Sequence, residues 1–108
     1  MTKNKLETIN DLWSFAMETA AEAAAESAER FQLSYRAAFI LLRYMEKWTW
    51  NYVMDCPKNR GWMTKAYQAA VIEADRLAFK LARYYRVPTE EQKKLLVELE
   101  SELHDALK

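Results

Sequence analysis

A chain of 108 residues that is 51% hydrophobic, with sixteen acidic and sixteen basic side chains, is long enough for one core and too apolar for the disordered class. Its zero net charge argues against a protein whose affinity rests on long-range attraction to a polyanion. One glycine, two prolines and a single cysteine leave little room for turns and none for an internal disulfide, so one helical domain spanning 1–108 is expected.

The first helix is read over 4–31. Leu6, Ile9, Trp13, Met17, Ala20, Ala24 and Phe31 recur on one side at helical spacing, with Glu7, Asp11, Glu18, Glu22 and Glu29 opposite. Phe15 falls among the acids and is the exception. The small residues from Ala20 to Ala28 suit close approach of a neighbouring helix better than space for a ligand, because natural cores hold few voids.

Neither Gly nor Pro occurs between Asn4 and Asp55, so the break after this helix rests on Ser34 as an N-cap within Phe31-Gln32-Leu33-Ser34-Tyr35. Without it, one helix of about 50 residues would imply an extended or domain-swapped dimer. Two helices are expected, the second over 34–56. Its core stripe is read as Tyr35, Ala38, Leu42, Met45, Thr49, Tyr52, Val53 and Cys56, and a second stripe holds Arg36, Phe39, Ile40, Arg43, Lys47, Trp50 and Met54.

Pro57 and Gly61 bracket a firm turn, since Pro ends a helix and Gly accepts left-handed backbone. A third helix follows over 62–87. Met63, Ala66, Tyr67, Ala70, Ala74, Leu77, Leu81 and Tyr84 form its core stripe, and Lys65, Ile72, Arg76, Phe79, Arg83 and Arg86 form a second one nearly opposite. Pro88 and Thr89 then open a fourth helix over 89–107, with Gln92 completing a capping box and Leu95, Leu96, Leu99, Leu103, Ala106 and Leu107 facing inward. The outward face of this helix is Glu90, Lys94, Glu98, Ser101 and Asp105. The resulting fold class is all-α, an antiparallel bundle of about four helices.

Charge is unevenly spread. Residues 1–31 and 88–108 each carry three basic and six acidic side chains, a balance of −3, whereas residues 62–87 carry five basic and two acidic, a balance of +3. Acidic outer helices lying beside basic inner ones would neutralise this inside the bundle.

The surplus stripes carry the functional expectation. An inner helix with two neighbours would bury both of its stripes, but aromatic residues, Met and Arg are also the types enriched where proteins meet. The chain is therefore expected to be a non-enzymatic interaction module, in the manner of an adaptor, an assembly subunit or a stoichiometric inhibitor. Arg36, Phe39, Arg43, Lys47, Trp50, Arg76, Phe79 and Arg83 are its partner-binding residues. An acidic protein surface would satisfy the cations, and a homodimer would cover the same stripes.

Two other classes are open. Arg and Lys interleaved with Phe79, Trp50 and Tyr44 could hold phosphates and unpaired bases, although the acidic ends oppose a nucleic acid. A bundle enzyme acting on an anionic substrate would have to use Arg36, Arg43, Arg76 and Arg83. Other chemistry lacks its parts. His104 stands on the outer side of the fourth helix near Glu100, and Glu46 and Glu73 lack the His three residues on that a di-iron bundle uses. Cys56 has no His near it in sequence. No metal and no cofactor is expected. No run approaches the ~18 apolar residues of a membrane span, and Met1 to Leu12 are too polar for a signal peptide, which together suggest a cytoplasmic protein and no membrane partner.

Overall fold

A computed structural model describes residues 8–84 together with Lys94, Glu98 and Ser101. Three helices, α1 (Ile9–Arg30), α2 (Tyr35–Asp55) and α3 (Trp62–Tyr84), pack against one another, and no strand occurs among the described residues. Phe15 near the start of α1 meets Trp62 at the start of α3, and Phe31 just after α1 meets Phe79 near the end of α3. Helices α1 and α3 thus run in the same direction, with α2 antiparallel between them. The fourth helix expected over 89–107 lies outside the described residues, as do 85–87 at the expected end of the third. Lys94, Glu98 and Ser101 are helical and exposed.

Caps set the boundaries. The first helix begins five residues later than expected, because Thr8 has extended backbone and its hydroxyl accepts the Asp11 N–H at 3.1 Å. Its end lacks a glycine yet is fully specified. Gln32 takes left-handed backbone at φ 53°, which lets the Leu33 N–H reach Ala28 O at 2.9 Å and the Gln32 N–H reach Glu29 O at 3.1 Å. That pair of bonds is a Schellman motif with Gln in the position glycine usually fills. Ser34 then caps α2 by accepting the Ala37 N–H at 3.2 Å, so the single long helix is excluded. Beyond α2, Lys58 replaces missing partners at the C-terminus: its ammonium donates to Val53 O, and to Cys56 O at 2.7 Å, while lying 5.0 Å from the Trp62 ring centroid. Gly61, at φ 80°, makes the turn into α3.

The interior is built from small side chains. Helix α1 contributes Ala16, Thr19, Ala20, Ala23, Ala24 and Ser27, and α3 contributes Ala66, Ala70, Ala74, Ala78 and Ala82, spaced by four, beside Leu77 and Leu81. Helix α2 supplies the larger pieces, Leu41, Tyr44, Met45 and Val53, with Ala37 and Thr49. Alanine faces let helices approach closely, and this moves bulky neighbours to the rims of each contact.

Several expected core positions are displaced for that reason. Trp13 is 54% exposed and Ile9 is also exposed, although both were read as core. Phe15, read as outward, is half-buried with its ring 5.2 Å from that of Trp62. Tyr35 is 97% exposed at the first turn of α2, and in the first half of that helix the buried stripe is rotated by about one residue, so that Ala37, Leu41 and Tyr44 are inside, while Met45, Thr49 and Val53 are buried as expected. At the start of α3, Met63, read as core, is exposed, and Trp62 before it is buried. One ion pair between helices runs opposite to the expected sense, joining Arg30 of α1 to Asp75 of α3 at 3.1 Å, and the acidic 88–108 segment of that expectation lies almost wholly outside the described residues.

Candidate partner-binding face

The expected binding residues divide into two groups. On α2, Arg36, Phe39, Arg43, Lys47 and Trp50 share the side opposite Leu41 and Met45, because 36, 39, 43, 47, 50 and 54 recur at helical spacing. Phe39 is 58% exposed, and the Arg43 guanidinium lies over its ring, 5.8 Å from the centroid. Arg43 stands 4.0 Å from Glu46, both well exposed, a pair worth little in water. Arg36 is exposed and Lys47 half-buried, and neither has a partner among the described residues. Trp50 and Ile40, expected to be uncovered, are half-buried instead: Trp50 packs against the small cluster of Ala16, Val53, Trp62 and Ala66. Part of its surface therefore belongs to the core.

On α3 the picture differs. Ile72 is 71% and Phe79 55% exposed, with Phe79 edge-on to Phe31 at 6.4 Å. Arg83 is exposed near the helix end. Arg76, by contrast, is committed to structure. Its Nε donates to Glu73 Oε1 at 2.9 Å and its Nη2 to Glu73 Oε2 at 2.6 Å and to the Tyr44 hydroxyl at 3.1 Å. The Tyr44 hydroxyl in turn donates to Glu73.

Tyr44, Glu73 and Arg76 form a hydrogen-bonded triad whose protonation follows from its contacts. Burial, then the hydrogen bond and charge of Glu73, push the Tyr44 phenol up to about 12, so it stays a neutral donor. Burial alone would raise the Glu73 carboxyl, but hydrogen bonds from Arg76 and Tyr44, with the charges of Arg76 and Lys80, hold it below its ordinary range. The neutral phenol donates to the charged carboxylate, and each favours the protonation state of the other.

Among the described residues, clefts open on either side of α2. One, about 450 Å³ and open to solvent, has Trp48 and Tyr52 stacked at 5.3 Å with Asn51, Asp55, Cys56 and Pro57 around them. The other, about 240 Å³ and also open, lies where α1 meets α2 and is lined by Trp13, Met17, Arg43, Glu46, Lys47 and Trp50. The sequence reading missed the second because it assigned Trp13 and Met17 to the core; the alanines beside them were the signal that the close contact would form elsewhere on α1. Cys56 is half-buried with Lys58 Nζ 3.7 Å from its sulfur. Among the described residues no group of three His, Cys, Asp or Glu side chains is placed to hold a metal ion, and no helix is long and apolar enough to cross a membrane. His104 and Glu100 lie outside the described residues. Comparison with protein-family models, with curated proteins and with solved structures finds no match to the chain.

Proposed function

We propose that the chain is a non-enzymatic helical module that acts by binding another protein through the outer face of α2. The observation that carries this reading is Phe39, a large ring mostly exposed beneath an arginine, in a row with Arg36, Lys47 and the partly open Trp50. Aromatic and arginine side chains in such a row are the types that supply most binding energy at protein interfaces. The cations favour a partner with an acidic surface. Phe79 and Arg83 of α3 are a secondary part of the face, and Arg76 contributes through its hold on Glu73 and Tyr44. The fourth helix over 89–107 stays in this reading, supported by Lys94, Glu98 and Ser101, which are helical and exposed as its polar side requires.

Affinity capture from the source organism with the full chain tests the reading, comparing wild type with Phe39→Ala and Arg43→Glu. The expected outcome is a protein retained by wild type and reduced about tenfold or more by either variant, with melting unchanged. Equal retention by all three proteins would remove the α2 face from the function. Retention of nucleic acid that collapses between low and moderate salt would replace the protein partner with a phosphate-bearing one.

A further inference from the structure

The three seams of the bundle are closed differently. Between α1 and α3, Ser27 and Arg30 meet Asp75, Glu26 accepts from Tyr67, and the two edge-on ring pairs cover the ends. Between α2 and α3, the Tyr44, Glu73 and Arg76 network spans the rim. The side-chain hydrogen bonds and ion pairs described between helices all run to α3. The rim where α1 meets α2 away from α3 carries instead the cleft walled by Trp13, Met17 and Trp50, with Arg43 and Lys47 at its edge and no α3 residue in its lining.

We propose that this cleft is the docking site of an acidic amphipathic α-helix from a partner protein. The inference rests on the binding function above and names the partner's shape and charge. Both walls are helices, and their direction is shared by a helix laid between them, its large apolar side chains seated between Trp13 and Trp50 at i, i+4 and i+7 spacing. One turn further along each wall, the exposed Ile9 and Met54 prolong the apolar floor, and Phe39 extends it in the other direction. From Phe39 to Met54 is about 22 Å along α2, the length of a four-turn helix. Carboxylates on the flank of that helix meet Arg36, Arg43 and Lys47, against which this face sets one acid, Glu46, 4.0 Å from Arg43. A second copy of the chain is a poorer occupant, because a twofold contact through this face would bring its basic rows together.

The test uses the isotopically labelled full chain and two synthetic helical peptides of about five turns, leucines at i, i+3, i+4 and i+7, one with glutamates and the other with lysines on the remaining face. The glutamate peptide should shift the indole resonances of Trp13 and Trp50 while leaving those of Trp48 and Trp62 in place. Replacing both Arg43 and Lys47 by Glu should weaken the glutamate peptide about tenfold or more and strengthen the lysine peptide, and Trp13→Ala should weaken the glutamate peptide by a similar factor in the parent protein. The charge-swap arm guards against variants that merely unfold, since a misfolded protein gains no new affinity. Equal affinity for the two peptides, or shifts centred on Ile72 and Phe79, would overturn the site. So would a free protein whose Trp13 and Trp50 are already shielded from a soluble quencher, by a second copy if its mass is doubled or by its own chain if it is monomeric. If Phe39→Ala abolishes host-protein retention but neither peptide binds the cleft, the general binding function survives and this site does not; if the peptide binds as expected while retention is indifferent to Phe39, the reverse holds.

Discussion

The rims that α3 makes with its neighbours and the rim between α1 and α2 are products of one packing choice. Where α1 and α3 meet through small side chains, short polar groups such as Ser27 and Asp75 reach across at 2.6 Å. At the outer edge of α1 and α2 the side chains are tryptophan, methionine, arginine and lysine, too bulky to close and too apolar to leave no mark. The contrast teaches that on a helix rich in alanine, large apolar residues mark the edge of a contact as readily as its centre. It also separates groups that hold the bundle together from groups that are free to hold something else.

That separation can be broken by mutation. The largest effect is expected at the closed contacts: Leu77→Ala, at a fully buried position, should cost ~2–5 kcal/mol in a denaturant titration. A loss below 1 kcal/mol would mean that the interior is not packed as described. Next comes Tyr44→Phe, which removes the hydroxyl bridging Glu73 and Arg76 and should cost ~1–2 kcal/mol, since both partners are ionised but part-exposed.

The same pair shapes the pH profile. Glu73 is held below its ordinary value, so the stability it contributes is present above the unfolded carboxylate range and is lost as pH falls through its folded value. Tyr44 has the opposite window: its phenol rises from 10.0 to about 12, so its contribution is complete below pH 10 and disappears as pH climbs toward 12. Melting temperatures of wild type and Tyr44→Phe should therefore converge over that alkaline interval, and parallel curves would show that the network does not control the phenol.

Smaller effects sharpen the other side of the contrast. Thr49 is fully buried in α2 and its hydroxyl has no partner among the described residues, so Thr49→Val, which keeps the branched shape and removes the polar atom, should stabilise by about 1 kcal/mol. A loss of stability would reveal a partner for that hydroxyl. Phe39→Ala should change stability by less than about 0.5 kcal/mol, because the ring it removes is mostly in solvent. A cost approaching that of Leu77→Ala would place Phe39 within the fold and end the argument for a docking face on α2.

Local backbone chemistry and a period of 3.6 residues were enough to specify the helical class, the turn from Pro57 to Gly61, the Ser34 cap and the unusual basic and aromatic row on α2. They did not determine which angular sector of each helix would be inside. Trp13 and Ala16 lie close enough on the α1 circumference that a hydrophobicity pattern favours the tryptophan, whereas the close packing of both α2 and α3 against α1 favours the alanine, and only the assembled bundle weighs the two. The left-handed Gln32 was equally hidden, since glycine is the residue that usually announces such an end. Tertiary structure likewise decided which arginine is occupied and which is available: Arg43 and Arg76 read alike along the chain, and the difference between them is a buried tyrosine on another helix within 3.1 Å of one and not of the other.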